Sequence, residues 1–147
     1  MKIRTATKFD IPKIIELLWH YHDSGSIPEL DITDDKTATR ILSTIIAGAG
    51  IALVSEDDDG LTGMLLAICV PYLWDNNKLV MNEIAYWVDE EYRGTTAGYR
   101  LLKEYIKMCD EMKEQKRIQF YTLSQMEGTH FHYEKFGFRP IEHTWSQ

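Results

Sequence analysis

A strand that runs into a turn of small residues and leaves it as a helix is the feature of this sequence that most restricts its fold. Residues 79–88, Leu-Val-Met-Asn-Glu-Ile-Ala-Tyr-Trp-Val, are dense in the β-branched and aromatic side chains that suit a half-buried pleated strand. Farther on, Leu101, Leu102, Tyr105, Cys109 and Met112 recur at helical spacing, with Lys103, Glu104, Lys107, Asp110 and Glu111 largely on the opposite face. The segment between them, Arg93-Gly94-Thr95-Thr96-Ala97-Gly98, therefore opens a helix. The first N–H groups of a helix have no intrahelical acceptor, and the helix dipole adds positive potential there. Such a turn favours an anion, a phosphate above all, although a plain strand-to-helix turn would use the same residue types. The spacing is neither that of a Walker loop, which ends in Gly-Lys-Ser/Thr, nor that of the dinucleotide fingerprint.

The rest of the chain alternates in the same way, as one domain over residues 1–147. A strand over 3–6 precedes a helix through Ile11, Ile14, Ile15, Leu18 and His22, which Thr7 or Asp10 can cap and which Pro12 places close to its start. A loop over 24–33 leads to a second helix over 34–47. The glycines of Gly48-Ala49-Gly50 leave that helix and enter a strand over 51–54, so they read as a C-cap rather than a nucleotide loop. Asp57-Asp58-Asp59-Gly60 reads as a hairpin turn into a strand over 62–70, and residues 74–77 as a longer turn into the strand ending at Val88. A strand over 117–123, a helix over 127–136 and a last strand over 138–145 complete the alternation. Strict alternation along 79–88 puts Glu83 on one face with Ala85 and Trp87, and Asn82, Ile84, Tyr86 and Val88 on the other, unless a bulge intervenes.

A chain of 147 residues, 44% of them hydrophobic, can bury a core of its own without disulfide staples. Cys69 and Cys109 fall in a strand and a helix without metal-ligand spacing, as small buried hydrophobes in a reducing compartment do. No apolar run approaches the roughly 20 residues that span a bilayer, and Lys2-Ile3-Arg4 leads into structure without a signal-peptide core, so a cytoplasmic protein with no membrane partner is expected. The net charge of −7 argues against nucleic acid as partner and suits a cationic one. His20 and His22, like His130 and His132, stand two apart on expected helices and point about 200° from one another, so no metal site is expected. His132, beside Tyr133, is a minor candidate for relaying protons.

Arg93, Thr96 and Gly98 give the turn a recognisable spacing. It resembles the pyrophosphate signature of the GNAT superfamily of N-acetyltransferases: Arg or Gln, two residues, Gly, one residue, then Gly or Ala. Thr96 stands where the first signature glycine is usual. Near the C-terminus, Tyr133 sits four residues before Gly137-Phe138, which resembles the family's closing helix and turn, and residues 3–18 resemble its opening strand and helix. The resemblance thus covers essentially the whole chain. It implies an α/β fold of three layers, with a mixed, mostly antiparallel central sheet of about seven strands flanked by about four helices. It implies acetyl-CoA as cosubstrate, with pyrophosphate on Arg93, Gly94, Thr95, Thr96, Ala97 and Gly98, and the pantetheine arm along the strand edge at Tyr86, Trp87 and Val88. It also implies that Tyr133 donates a proton to the departing thiolate.

Acetylation of an amine also needs a base, because an amine of pKa near 10.4 is only about 0.04% neutral at pH 7. Glu83, in the strand leading to the cradle, can take that proton directly or through water. No residue in the motifs looks like an acyl-carrying nucleophile, so direct attack in a ternary complex is expected. The other reading is a catalytically idle domain of the same fold that binds an acyl-CoA or a protein. Tyr133 favours the enzyme, whereas Thr96, and Met126 where many family members carry an asparagine, favour the binding module. The acceptor is expected to be a small-molecule or lysine amine, drawn by Asp23, Glu29, Asp31, Asp34 and Asp35 around the first interhelical loop. An apolar C-terminal strand with Trp145 could pair across a homodimer.

Overall fold

The computed structural model describes residues 1–25, 34–126 and 131–147. Strands β1 (Lys2–Thr5), β2 (Gly50–Asp57), β3 (Gly60–Tyr72), β4 (Asp75–Val88) and β5 (Phe120–Thr122) lie side by side in that order. The first four pair antiparallel, and β5 joins β4 in parallel. Helix α1 (Ile11–Asp23) is preceded by a turn in which the Thr7 N–H donates to Asp10 Oδ2 at 2.7 Å. Helix α2 (Asp35–Thr44) is capped by Asp34, whose carboxylate accepts from the Lys36 and Thr37 N–H groups. The third helix, α3 (Ala97–Glu114), follows the cradle.

Period-two alternation divides the strand residues between two cores. On one face, Ile14 and Leu17 of α1 and Leu42 of α2 pack over Ala52, Val54, Met64, Leu66 and Ala85. On the other, Leu101, Leu102, Tyr105 and Cys109 of α3 pack over Leu53, Leu65, Ala67 and Met81. The result is the expected three-layer α/β architecture with a mixed, mostly antiparallel sheet. Both hairpins run longer than expected, β3 reaching Tyr72 and β4 starting at Asp75. At Gly50 a Cβ atom would lie 2.0 Å from the Ala67 carbonyl oxygen, so only glycine lets β2 start this close to β3.

Two details of the sheet shape the site. Leu66 pairs with Ala85 and Ala67 with Glu83, so Ile84 is an extra residue, a bulge in β4. The bulge overturns strict alternation: Glu83 shares the α3 face with its partner Ala67 and with Tyr86, not the α1 face of Ala85 and Trp87. In addition, β5 pairs with β4 only at Val80–Phe120, Met81–Tyr121 and Asn82–Thr122. From Glu83 to Val88, the edge of β4 that faces away from β3 is therefore not claimed by β5.

The C-terminal part differs from expectation. Five strands and three α-helices form among the described residues, against about seven and four expected. Of the helix expected over 127–136, residues 127–130 lie outside the described residues, and Tyr133–Phe136 form a single 3-10 turn that Gly137 ends in the left-handed region at φ 92°. Residues 138–145 form no strand, and Ile141 and Trp145 are exposed. Pro140 supplies no ladder N–H and interrupts the apolar pattern that suggested one.

Candidate active site

The cradle begins where β4 ends. Arg93 folds back on the strand: its Nε donates to the Val88 carbonyl at 3.0 Å, and its guanidinium lies 4.3 Å from the centre of the Trp87 ring. The Trp87 indole N–H donates to Asp89 Oδ1 at 2.8 Å, and His20 Nδ1 of α1 lies 2.8 Å from the same oxygen. Gly94 turns the chain at φ 88°, a conformation that costs a side chain about 1 kcal/mol or more. Thr95 Oγ1 then donates to the Tyr92 carbonyl at 2.6 Å. Thr96, at the N-cap, has φ −83° and ψ 2°, so the position usually held by glycine needs no left-handed backbone here and accepts threonine without strain.

The first α-helical bond of α3 runs from the Arg100 N–H to the Thr96 carbonyl at 2.9 Å. Ala97, Gly98 and Tyr99 thus present their N–H groups at the open end of an 18-residue helix. Thr95 and Ala97 are less available than the sequence implied. The Thr95 N–H reaches the Tyr92 carbonyl at 3.4 Å, and the Ala97 N–H reaches Thr95 Oγ1 at 3.3 Å. Both bonds are long, so a phosphate oxygen would compete well for these donors. The Tyr86 hydroxyl donates to the Gly98 carbonyl and ties β4 to the first turn of α3.

Glu83 is 6% exposed, and its Oε2 accepts the Ser124 backbone N–H at 3.0 Å. Burial pushes its carboxyl up to about 7, and the bond from Ser124 offsets only part of that rise. Four phenols lie within the field of this carboxyl: Tyr21 of α1, Tyr86 of β4, Tyr105 of α3, and Tyr133. In each, burial is the main cause of a raised pKa and the Glu83 charge adds to it; Tyr86 reaches about 12. Tyr133 is raised well above the ordinary phenol, so it keeps its proton throughout the neutral range. The Tyr105 hydroxyl donates to the Thr122 carbonyl at 2.9 Å. Phe131 stacks between Tyr86 and Tyr133, with ring centres 6.3 and 5.5 Å away.

The fold thus gathers Glu83, Tyr86 and Tyr133, which the sequence singled out, at the point where β4 and β5 part. It adds Tyr21, Phe131 and the His20–Asp89–Trp87 link, which sequence reasoning missed. Tyr21 had a signal of its own, being four residues beyond Leu17 on the apolar stripe of α1 and ending that stripe with a polar tip. His132 faces the other way: its Nδ1 lies 3.2 Å from Glu134 Oε1 on the surface. Met126 comes close to the end of α1, its methyl 3.7 Å from where a Cβ on Gly25 would be. Glu29, Asp31 and His130 lie outside the described residues. Among the described residues, no group of three His, Cys, Asp or Glu side chains is placed to hold a metal ion, and no helix is long and apolar enough to cross a membrane.

Comparison with known proteins agrees with this fold. The model of the acetyltransferase (GNAT) family matches residues 11–138. Among solved structures, a predicted acetyltransferase with acetyl-CoA from Clostridium acetobutylicum superposes with a TM-score of 0.75 at 18% identity, over 99% of this chain and 94% of that one. Glucosamine-6-phosphate N-acetyltransferase from Arabidopsis thaliana gives a TM-score of 0.71 at 20% identity, over 99% and 96% of the two chains. Ribosomal-protein-alanine N-acetyltransferase from Brucella melitensis biovar Abortus 2308 gives 0.69 at 16%, over 100% and 99%. These identities carry the fold alone. No curated protein matches the sequence.

Proposed function

The chain belongs to the acetyltransferase (GNAT) family, and on that premise we propose that it moves an acetyl group from acetyl-CoA to a primary amine by direct attack in a ternary complex. The observation that carries this reading is the buried Glu83 carboxyl, pushed up to about 7 within reach of the field at Tyr133. A base that titrates near neutrality is ionised often enough to accept an ammonium proton and is a stronger base than an ordinary carboxylate. Two other features fit the cosubstrate. The unclaimed edge of β4 from Glu83 to Val88 offers backbone groups to the amides of a pantetheine arm, and the open first turn of α3 with Arg93 offers donors and charge to a pyrophosphate.

In this reading Glu83 removes a proton from the acceptor ammonium, directly or through water. The amine nitrogen then bonds to the thioester carbonyl carbon as the carbon–sulfur bond breaks, and the Tyr133 hydroxyl gives its proton to the departing sulfur. Glucosamine-6-phosphate and ribosomal-protein alanine acetyltransferases share the fold, in keeping with an amine acceptor here. A cationic small-molecule or lysine amine suits the net charge of −7, and a cytoplasmic location suits two free thiols.

The test is release of free thiol from acetyl-CoA across a panel of amines. Turnover with at least one amine, strongly lowered in Glu83→Gln and in Tyr133→Phe, supports the reading. Silence with every amine, in a protein whose melting temperature coenzyme A still raises, would favour the idle acyl-CoA-binding domain.

A further inference from the structure

At the end of the sheet remote from the cradle, the last turns of α3 and the segment leading to β5 border, with the strands, a cavity of about 710 Å³ that is open to solvent on one side. Met108, on its wall, lies eleven residues along α3 from Ala97, about 16 Å by helix rise. No residue assigned above to the acetyl-CoA site lines it. One part of the wall is apolar and adaptable, with Ile51 of β2, Cys69 of β3 and the thioethers of Met81, Met108 and Met112, and another part is polar, with Asn77, Gln115 and Gln119. Methionine fits ligands of irregular shape because its unbranched chain turns readily and its sulfur is polarisable.

The mouth is charged in the sense opposite to the whole chain. Lys116 and Arg117 line it against one carboxylate, Glu111, in a protein of net charge −7. Backbone geometry places both residues at this end of α3. Lys116 is the non-glycine residue of the described chain with positive φ, at 60°, in the place after a helix where glycine is usual. The N–H groups of Gln115, Lys116 and Arg117 donate to the carbonyls of Glu111, Lys113 and Met112 at 3.0, 2.9 and 2.9 Å. Three of the last four carbonyls of α3, those of Glu111, Met112 and Lys113, are thereby satisfied by the backbone and do not occupy the two side chains. Arg117 Nη1 reaches Gln115 Oε1 at 3.3 Å, a neutral partner, and among the described residues neither cation forms an ion pair. Arg117 also acts electrostatically on the Cys69 thiol, which places its charge toward the cavity wall.

We propose that this cavity is a second ligand site, separate from the acetyl-CoA site, that takes an alkyl carboxylate with its chain among the methionines and its head group between Lys116 and Arg117. Its size lies within the roughly 300–1,000 Å³ of pockets that hold small organic ligands.

Cys69 reports occupancy, because it lines the cavity and is part-exposed whereas Cys109 is wholly buried. Alkylation of the full-length protein by iodoacetamide is followed with decanoate, below its micellar concentration, as the probe. Saturating decanoate should slow modification of Cys69 at least tenfold, and decylamine, of equal chain length and opposite charge, should not. Protection should vanish in Lys116→Glu/Arg117→Glu and in Met112→Trp, which fills the cavity. The milder Lys116→Ala/Arg117→Ala should weaken decanoate binding at least fivefold and serves if the charge-reversed variant does not fold. Coenzyme A should leave the protection unchanged. An unaltered rate with decanoate, equal protection by decylamine, or displacement of decanoate by coenzyme A would overturn the proposal, and each of these results is independent of whether the protein acetylates an amine.

Discussion

Glu83 and Ser124, 41 residues apart in sequence, meet through a hydrogen bond in which the Ser124 backbone N–H donates to Glu83 Oε2 at 3.0 Å. The bond holds a buried carboxyl at the point where β4 and β5 separate, and burial of that carboxyl, which the bond only partly offsets, fixes the sign of a stability effect. An acid whose pKa is raised on folding destabilises the native state in its charged form. With 4.5 as the ordinary value and about 7 in the fold, the cost is absent below pH 4.5, grows between 4.5 and 7, and is complete above 7. It amounts to about 3 kcal/mol. Glu83→Gln keeps an acceptor for Ser124 and carries no charge. It should melt several degrees above the native protein at pH 8 and at the same temperature at pH 4. An equal gain at both pH values would remove the buried charge as the cause.

Tyr133 is the second group whose titration bears on the proposed chemistry. Its phenol is raised by burial first and then by the charges of Glu83, Tyr86 and Tyr21, so it stays protonated wherever the enzyme is assayed. Tyr133→Phe should lower kcat by about 10²-fold with little change in KM for acetyl-CoA, as expected for a proton delivered only in the transition state. The native kcat/KM should rise with pH through about 7 as Glu83 ionises, and Tyr133→Phe should keep that limb while Glu83→Gln loses it. A Tyr133→Phe enzyme with native kcat across the pH range would sink the assignment.

The cradle is tested at Gly98. A Cβ atom there would lie 3.4 Å from Tyr86 Oη and 3.6 Å from Val88 Cγ2, so alanine fits with a shift of a few tenths of an ångström. Gly98→Asp adds a negative charge at the open helix end and should weaken acetyl-CoA binding at least tenfold, on the order of 1.4 kcal/mol, while Gly98→Ala weakens it less. Calorimetry that finds native affinity in a folded Gly98→Asp protein would exclude an anion at this turn. Thr96→Gly should bind as well as the native chain or better, because Thr96 already has an ordinary backbone conformation and its side chain caps nothing.

The strand, cradle and α3 were legible because three local signals coincide there: β-branched density, small residues and a helical stripe. The hairpin at Asp57–Gly60 and the helix end at Gly48 were legible for the same reason, since both glycines have φ near 125° and no other residue adopts that freely. What failed was non-local. The bulge at Ile84 depends on how β3 and β4 pair, and nothing in 79–88 marks it, so the face of Glu83 had to come from the pairing. The strand over 138–145 was read from apolar spacing that Pro140 undoes. Tyr21 and Phe131 reach the site from α1 and from beyond β5, and only the fold brings them to Tyr86 and Trp87.

The acidic residues near the first interhelical loop carry the last prediction, and the structure gives two of them local duties. Asp34 caps α2, and bonds from the Thr37 hydroxyl and N–H are the main cause of its lowered pKa; Asp35 Oδ1 accepts the Trp19 indole N–H at 3.3 Å. Asp34 is held below the ordinary carboxylate range and stays negative at neutral pH, so capping does not cancel its long-range field. If that field draws the acceptor, polyamines, aminoglycoside-like amines or lysine side chains should be acetylated in preference to neutral or anionic amines. Their kcat/KM should also fall as salt rises from about 10 to 300 mM, over which the Debye length shrinks from roughly 30 Å to below 8 Å. Asp34→Asn would confuse the test by removing a charge that stabilises the N-terminus of α2, so Asp23→Asn is the cleaner variant, with a smaller salt slope expected. A best substrate that is anionic, turned over at a rate indifferent to salt, would show that these carboxylates serve the helix ends alone.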